Sequence, residues 1–172
     1  IIKMENEKPY GMGVFIDIYP YDGLGTTEKE AVTYGMKGDR LSSLCYQSTR
    51  EHFAIETTTS LFRKIIKYPI FIGSKLIGKD YFQKKLNQLV ELKEYEDSNY
   101  IGCIVWLSGG KKEIFLRKWF DETIMVPFEK YQFRVPKDYD EVLRHTYGDY
   151  MQLPPEKDRI GHHYFKAYRK DE

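Results

Sequence analysis

The sequence predicts an α/β or α+β fold in which a small mixed sheet is flanked by helices, and three observations point there. Short apolar runs such as Val14 to Ile18 alternate with a two-residue period, as strands do. Longer stretches carry apolar residues three and four positions apart behind N-capping sequences, as helices do. At 172 residues the chain is long enough to bury a sizeable core and reads as a single domain over 1–172.

The first element runs from Gly13 to Tyr19. Val14, Ile16 and Ile18 share one face of a strand, and Phe15, Asp17 and Tyr19 share the other. A carboxylate among apolar neighbours is costly to bury unless it is paired, hydrogen-bonded or metal-bound. Asp17 is therefore either held in a cleft for chemistry or the polar residue of an exposed edge. Asp22-Gly23 reads as a turn. Thr27-Glu28-Lys29-Glu30 is a capping box that starts a helix directly after it. Gly35 and Gly38 weaken that helix, and the stripe through Leu41, Leu44, Cys45, Phe53, Leu61, Phe62, Ile65 and Ile66 is loose. Tyr68-Pro69 interrupts it, because a residue before proline is pushed out of the helical region, and 69–78 reads as a loop.

Asp80-Tyr81-Phe82-Gln83 is a second capping box, and Phe82, Leu86, Leu89 and Val90 predict a helix that ends near Tyr95. Ile101 to Leu107 is a dense strand-like run, broken by Gly109-Gly110 before Glu113-Ile114-Phe115, and Trp119-Phe120 suits a short helical turn. Thr123 to Phe128 and Tyr131 to Val135 predict a hairpin around Glu129-Lys130, with Pro127 at an edge. Asp138 to Glu141 is a third capping box; Tyr139, Val142, Leu143 and Tyr147 share one face, and Gly148 ends the helix. Pro154-Pro155 forces an extended exit toward a tail that carries His162-His163.

Lys and Arg number 27 against 26 Asp and Glu, which removes the electrostatic case for a nucleic-acid partner. Cys45 and Cys103 are the only cysteines and lack metal-ligand spacing, so a reducing compartment fits. No apolar run approaches the roughly 18 to 20 residues that span a bilayer. The expected location is cytoplasmic, with room for work at the inner face of a membrane. The chain starts at Ile1 rather than Met and reads as an N-terminally truncated fragment.

Two blocks carry a family resemblance. Phe15-Ile16-Asp17-Ile18-Tyr19-Pro20-Tyr21-Asp22-Gly23 forms an aliphatic-Asp-aliphatic-aromatic-Pro-x-Asp-Gly block. The second runs from Lys112-Glu113 and Trp119-Phe120 through Pro127-Phe128-Glu129 and Val135 to Asp140, then Tyr147 to Met151 and Pro154-Pro155, and ends at His162-His163. In order and spacing the chain resembles the LicD family of phosphocholine transferases, relatives of fukutin in the nucleotidyltransferase-fold superfamily. The resemblance implies a partial nucleotidyltransferase-like fold. It also implies phosphoryl transfer: a CDP-choline-like nucleotide donor is attacked by a hydroxyl of a bacterial surface glycan or lipid-linked glycan, such as lipopolysaccharide or teichoic acid, and CMP leaves.

In the superfamily, closely spaced aspartates and a third acid on a neighbouring strand hold a divalent metal, and Asp17 resembles that third acid. No aspartate pair precedes it here, so Mg²⁺ would be held weakly by this fragment. Asp17 is the catalytic and metal-binding candidate. Asp22 is either a substrate-orienting residue or a turn former. Lys111 and Lys112, after two glycines, either meet a phosphate or sit in an ordinary turn. Asp149, His162 and His163 are the remaining substrate-binding candidates, each with a surface-residue alternative. A non-catalytic nucleotide- or glycan-binding module and a nucleotidyltransferase stay open as alternative functions. A sheet missing its first strand-helix unit would favour a homodimer through the open edge.

Overall fold

The computed structural model describes residues 2–4, 16–53, 60–107, 110–156, 159 and 165–167. Contacts group the chain into two units, Pro20–Gly148 and, separately, Ile1–Tyr19 with Asp149–Glu172. In the smaller unit β1 (Ile2–Met4) pairs antiparallel with β7 (Phe165–Ala167).

The larger unit is built on β2 (Asp22–Gly25), β3 (Tyr100–Gly102) and β4 (Ile114–Leu116), in that spatial order. Helix α1 (Glu28–Thr49) lies against this sheet and packs with α2 (Leu61–Ile77) and α3 (Lys79–Val90). A hairpin of β5 (Thr123–Phe128) and β6 (Tyr131–Pro136) precedes α4 (Tyr139–Tyr147). The fold is α+β. Every strand pair among the described residues is antiparallel, so the expected mixed sheet is corrected. The hairpin strands β5 and β6 are joined by the short turn at Glu129-Lys130, whereas β2 and β3 are joined through α1, α2 and α3 and still run antiparallel.

Asp22-Gly23 is strand rather than turn: Asp22 pairs with Gly102 and Gly23 with Ile101. A Cβ on Gly23 would lie 2.4 Å from the Glu94 carbonyl oxygen, so the glycine admits close backbone approach instead of a reversal. The capping box is present where expected. Thr27 Oγ1 accepts from Glu30 N at 3.3 Å, while Glu30 Oε2 accepts from Thr26 N at 3.0 Å, one residue before the usual partner.

Helix α1 then continues without a break, against the expectation from Gly35 and Gly38. Both glycines are buried. A Cβ on Gly38 would stand 2.4 Å from the Ile104 carbonyl oxygen, so helix and chain meet there backbone to backbone. The core beneath comprises Leu24, Ala31, Leu89, Ile104, Leu107 and Ile114. Ile101 to Leu107 is strand only to Gly102. Beyond it the chain turns, with Trp106 N donating to Cys103 O at 3.0 Å and Leu107 N to Asp39 Oδ1 at 3.3 Å. Cys103, Ile104 and Leu107 fill the core rather than a ladder, while Val105 and Trp106 stay exposed.

The expected loop at 69–78 is helix, and α2 runs through Pro69. The proline removes one intrahelical donor. Phe71 and Ser74 are buried, and Phe53 meets the rings of Tyr68 and Phe71 at 5.6 and 5.7 Å, so packing on both sides of the proline holds the helix together. Helix α3 is capped by Gly78 rather than Asp80 and stops at Val90 rather than near Tyr95. Asp80 sits instead in the first turn, where a negative charge complements the helix dipole. The hairpin and the helical turn at Arg117–Phe120 fall where expected. With two strands, each is an edge, which accommodates Pro127. Helix α4 starts after Asp138, with Val142 N donating to Asp138 O, and ends at Gly148 with φ 71°.

Candidate functional site

Asp17 is exposed, and residues 16–20 are neither strand nor helix; Val14 and Phe15 lie outside the described residues. Ile16 is 90 % exposed and Ile18 88 %, so the expected alternation of buried and exposed faces is absent at these positions. With Ile16 and Ile18 exposed beside it, the expected burial of Asp17 among these apolar neighbours is absent. Asp149 is also exposed, and its carbonyl accepts from Gln152 N at 3.1 Å. His162 and His163 lie outside the described residues.

Asp22, Lys111 and Lys112 belong to the larger unit. Asp22 is half-buried, and burial raises its carboxyl above the ordinary range. Its neighbour Tyr21 packs between Phe115 and Phe120, each at 5.4 Å between ring centroids. Burial pushes the Tyr21 phenol upward, with Cys103, Glu113 and Tyr147 adding to it. The Cys103 thiol is likewise pushed up, first by burial and then by Asp22 and Glu113, against hydrogen bonding from the Val105 and Trp106 backbone. Tyr21, Asp22, Cys103 and Glu113 thus form one acid-rich neighbourhood where β2 meets β3.

On the other side of β4 lies a cleft of about 340 Å³. Glu28 and Val32 of α1 form one wall, the turn Gly110–Glu113 brings Lys111 and Lys112, and Trp119 and His145 close it. His145 Nε2 lies 3.0 Å from the Lys111 carbonyl oxygen, and Thr146 Oγ1 donates to the Lys112 carbonyl at 3.4 Å. These bonds tie the lysine turn to α4. The His145 ring meets Trp119 at 5.6 Å and Phe115 at 5.7 Å. Lys111 Nζ pairs with Glu28 Oε1 at 3.1 Å, and both side chains are exposed. Such a pair contributes little to stability, so an anionic ligand can replace Glu28 at small cost.

The sequence pointed to Lys111 and Lys112 but not to Glu28, Trp119 or His145 as their companions. Trp119 stands in the second resemblance block, whereas Glu28 is read only as part of a capping box and His145 is not singled out. Among the described residues no group of three or more His, Cys, Asp or Glu side chains is arranged to hold a metal ion.

No family model matches the chain, and no solved structure matches it. Among curated proteins it is 32 % identical over 157 residues to the lipopolysaccharide cholinephosphotransferase LicD of Haemophilus influenzae, an alignment covering 90 % of this chain. The chain spans 57 % of that relative's length. Over the residues that align, the chain is similar to this LicD protein.

Proposed function

We propose that this chain is part of a transferase that moves phosphocholine, or a similar head group, from a CDP-linked donor to a hydroxyl of a cell-surface glycan such as lipopolysaccharide. The observation that carries the reading is the 32 % identity, over nine-tenths of the chain, with a cholinephosphotransferase. The cleft supports it with two lysines beside aromatic rings, a setting suited to a nucleotide diphosphate: ammonium groups for phosphate and flat apolar surface for a base.

In the proposed step the acceptor oxygen bonds to the phosphorus that bears choline, and the bond from that phosphorus to the bridging oxygen breaks. CMP leaves with the electron pair. Asp17 takes the hydroxyl proton, a role that rests on its resemblance block alone. Lys111 and Lys112 hold the donor phosphates, where fixed charge and position lower the barrier. Asp22, whose carboxyl is raised by burial, orients the substrate, a role that also rests on the resemblance. Asp149, His162 and His163 are assigned to substrate binding on the same resemblance. When bound, Mg²⁺ would neutralise the diphosphate. The described residues do not form a magnesium site by themselves, so its ligands would include residues beyond them. The proposed setting is the cytoplasm, at the inner face of the membrane beside a lipid-linked acceptor; among the described residues no helix is long and apolar enough to cross it.

A second reading, a binding module that holds the nucleotide or the glycan without turnover, is favoured by that same lack of a metal-binding set among the described residues. Assay with CDP-choline and Mg²⁺ separates the readings by product. The transferase releases CMP, a nucleotidyltransferase releases phosphocholine, and a binding module releases neither. Asp17→Asn is expected to lower CMP release at least about 10²-fold; unchanged turnover in a folded variant removes Asp17 from the reaction.

A further inference from the structure

Helix α2 is turned inside out for a helix of a globular unit. Phe71 and Ser74 face inward and are buried. At 100° per residue the side opposite Phe71 carries Phe62, Ile65, Pro69 and Leu76, flanked by Leu61 and Ile66. Leu61, Phe62 and Leu76 are 73 %, 72 % and 84 % exposed. The apolar stripe thus faces away from α1 over the whole 17-residue helix, a patch of the kind that marks an interaction surface.

Charge says what covers it. Helix α2 contains Arg63, Lys64, Lys67 and Lys75 and no acid. From Leu61 to Val90, α2 and α3 together hold seven cations and one acid, whereas the whole chain has a net charge of only +1. Arg63 lies beyond one edge of the apolar stripe and Tyr68 beyond the other, while Lys64, Lys67 and Lys75 lie on the half of the helix that carries Phe71. An outward apolar face with all its cations on the remaining half, on a helix too short to span a bilayer, is the pattern of a helix lying in a lipid interface.

We propose that α2 docks the protein flat on an anionic phospholipid surface, its apolar face entering the acyl boundary and its cations meeting the head groups. A second copy of the chain would bring the same uncompensated cations together, which disfavours it as the occupant. The inference goes beyond the catalytic reading, because vesicle binding requires no turnover.

The test is sedimentation of the full chain with vesicles of phosphatidylcholine alone and with vesicles in which about a third of the lipid is phosphatidylglycerol. Binding is expected only with the anionic vesicles and is expected to weaken with salt. Arg63→Glu with Lys67→Glu should weaken it at least about tenfold. Ile65→Ser with Leu76→Ser should abolish it while circular dichroism stays unchanged. A Leu76→Trp reporter should shift its emission to the blue only when anionic vesicles are present. No binding, or equal binding to neutral vesicles, overturns the proposal. So does a blue-shifted Leu76→Trp emission without lipid, or a dimer that Ile65→Ser dissociates.

Discussion

Helices α1 and α2 are neighbours in sequence and in space, yet they treat apolar residues in opposite ways. Helix α1 is the more polar and buries Ala31, Gly35 and Gly38, the two glycines against the turn that follows β3. Helix α2 is far richer in Leu, Ile and Phe and leaves most of them in solvent. Burial here follows from what lies opposite a residue, not from how apolar the residue is. A small residue in α1 brings the Ile104 backbone within contact, whereas the large residues on the outer side of α2 stay exposed among the described residues.

The comparison breaks first on a pair of matched substitutions. Leu24→Ala, in the fully buried core under α1, is expected to cost about 2–5 kcal/mol in urea unfolding. Leu76→Ala on α2 should change stability by no more than about 0.5 kcal/mol, because the side chain is already in water. Equal losses would mean that α2 is covered within the chain. The next effect is sharper in sign than in size. Helix propensity alone makes Gly38→Ala stabilising by about 1 kcal/mol. The 2.4 Å approach to Ile104 O makes it destabilising instead, by about 1–3 kcal/mol, on the same measurement.

The smallest effect depends on pH. Glu30 at the start of α1 is held below its ordinary range chiefly by the hydrogen bond from Lys93 and then by the Thr26 backbone. A depressed carboxylate adds stability above its unfolded pKa and loses it as pH falls through the lower, folded value. Glu30→Gln should therefore lower the melting temperature at neutral pH, and the difference should shrink as the solution is acidified below the usual carboxylate range. A difference that stays constant with pH would assign the loss to packing rather than charge.

Local signals were legible wherever one side chain acts on its own neighbours. The Thr27 cap, the Glu129-Lys130 hairpin and the Gly148 stop are all where the residues place them, since each is decided within a few positions. Signals that depend on a distant surface misled. Gly38 reads as a weak point until Ile104 is opposite it, and Pro69 reads as a break until Phe53 is seen to pack on Tyr68 and Phe71, the residues before and after it in the helix. The candidate site divides the same way. Lys111 and Lys112 were visible beside two glycines, but their companion His145 is more than thirty positions away and reaches them through a carbonyl.

By itself the sequence determined a class of mixed helix and strand, the Thr27 cap, the Glu129-Lys130 turn and the Gly148 stop, and the resemblance to a family that its two blocks carry, because periodicity, capping and motif order are properties of the chain read along its length. Only the tertiary structure decided that Asp22-Gly23 is a strand, that the lysine turn is tied to α4, and that α2 faces its apolar side outward. Each of those depends on which surface lies across from a residue, and that is fixed when distant segments compete for the same core.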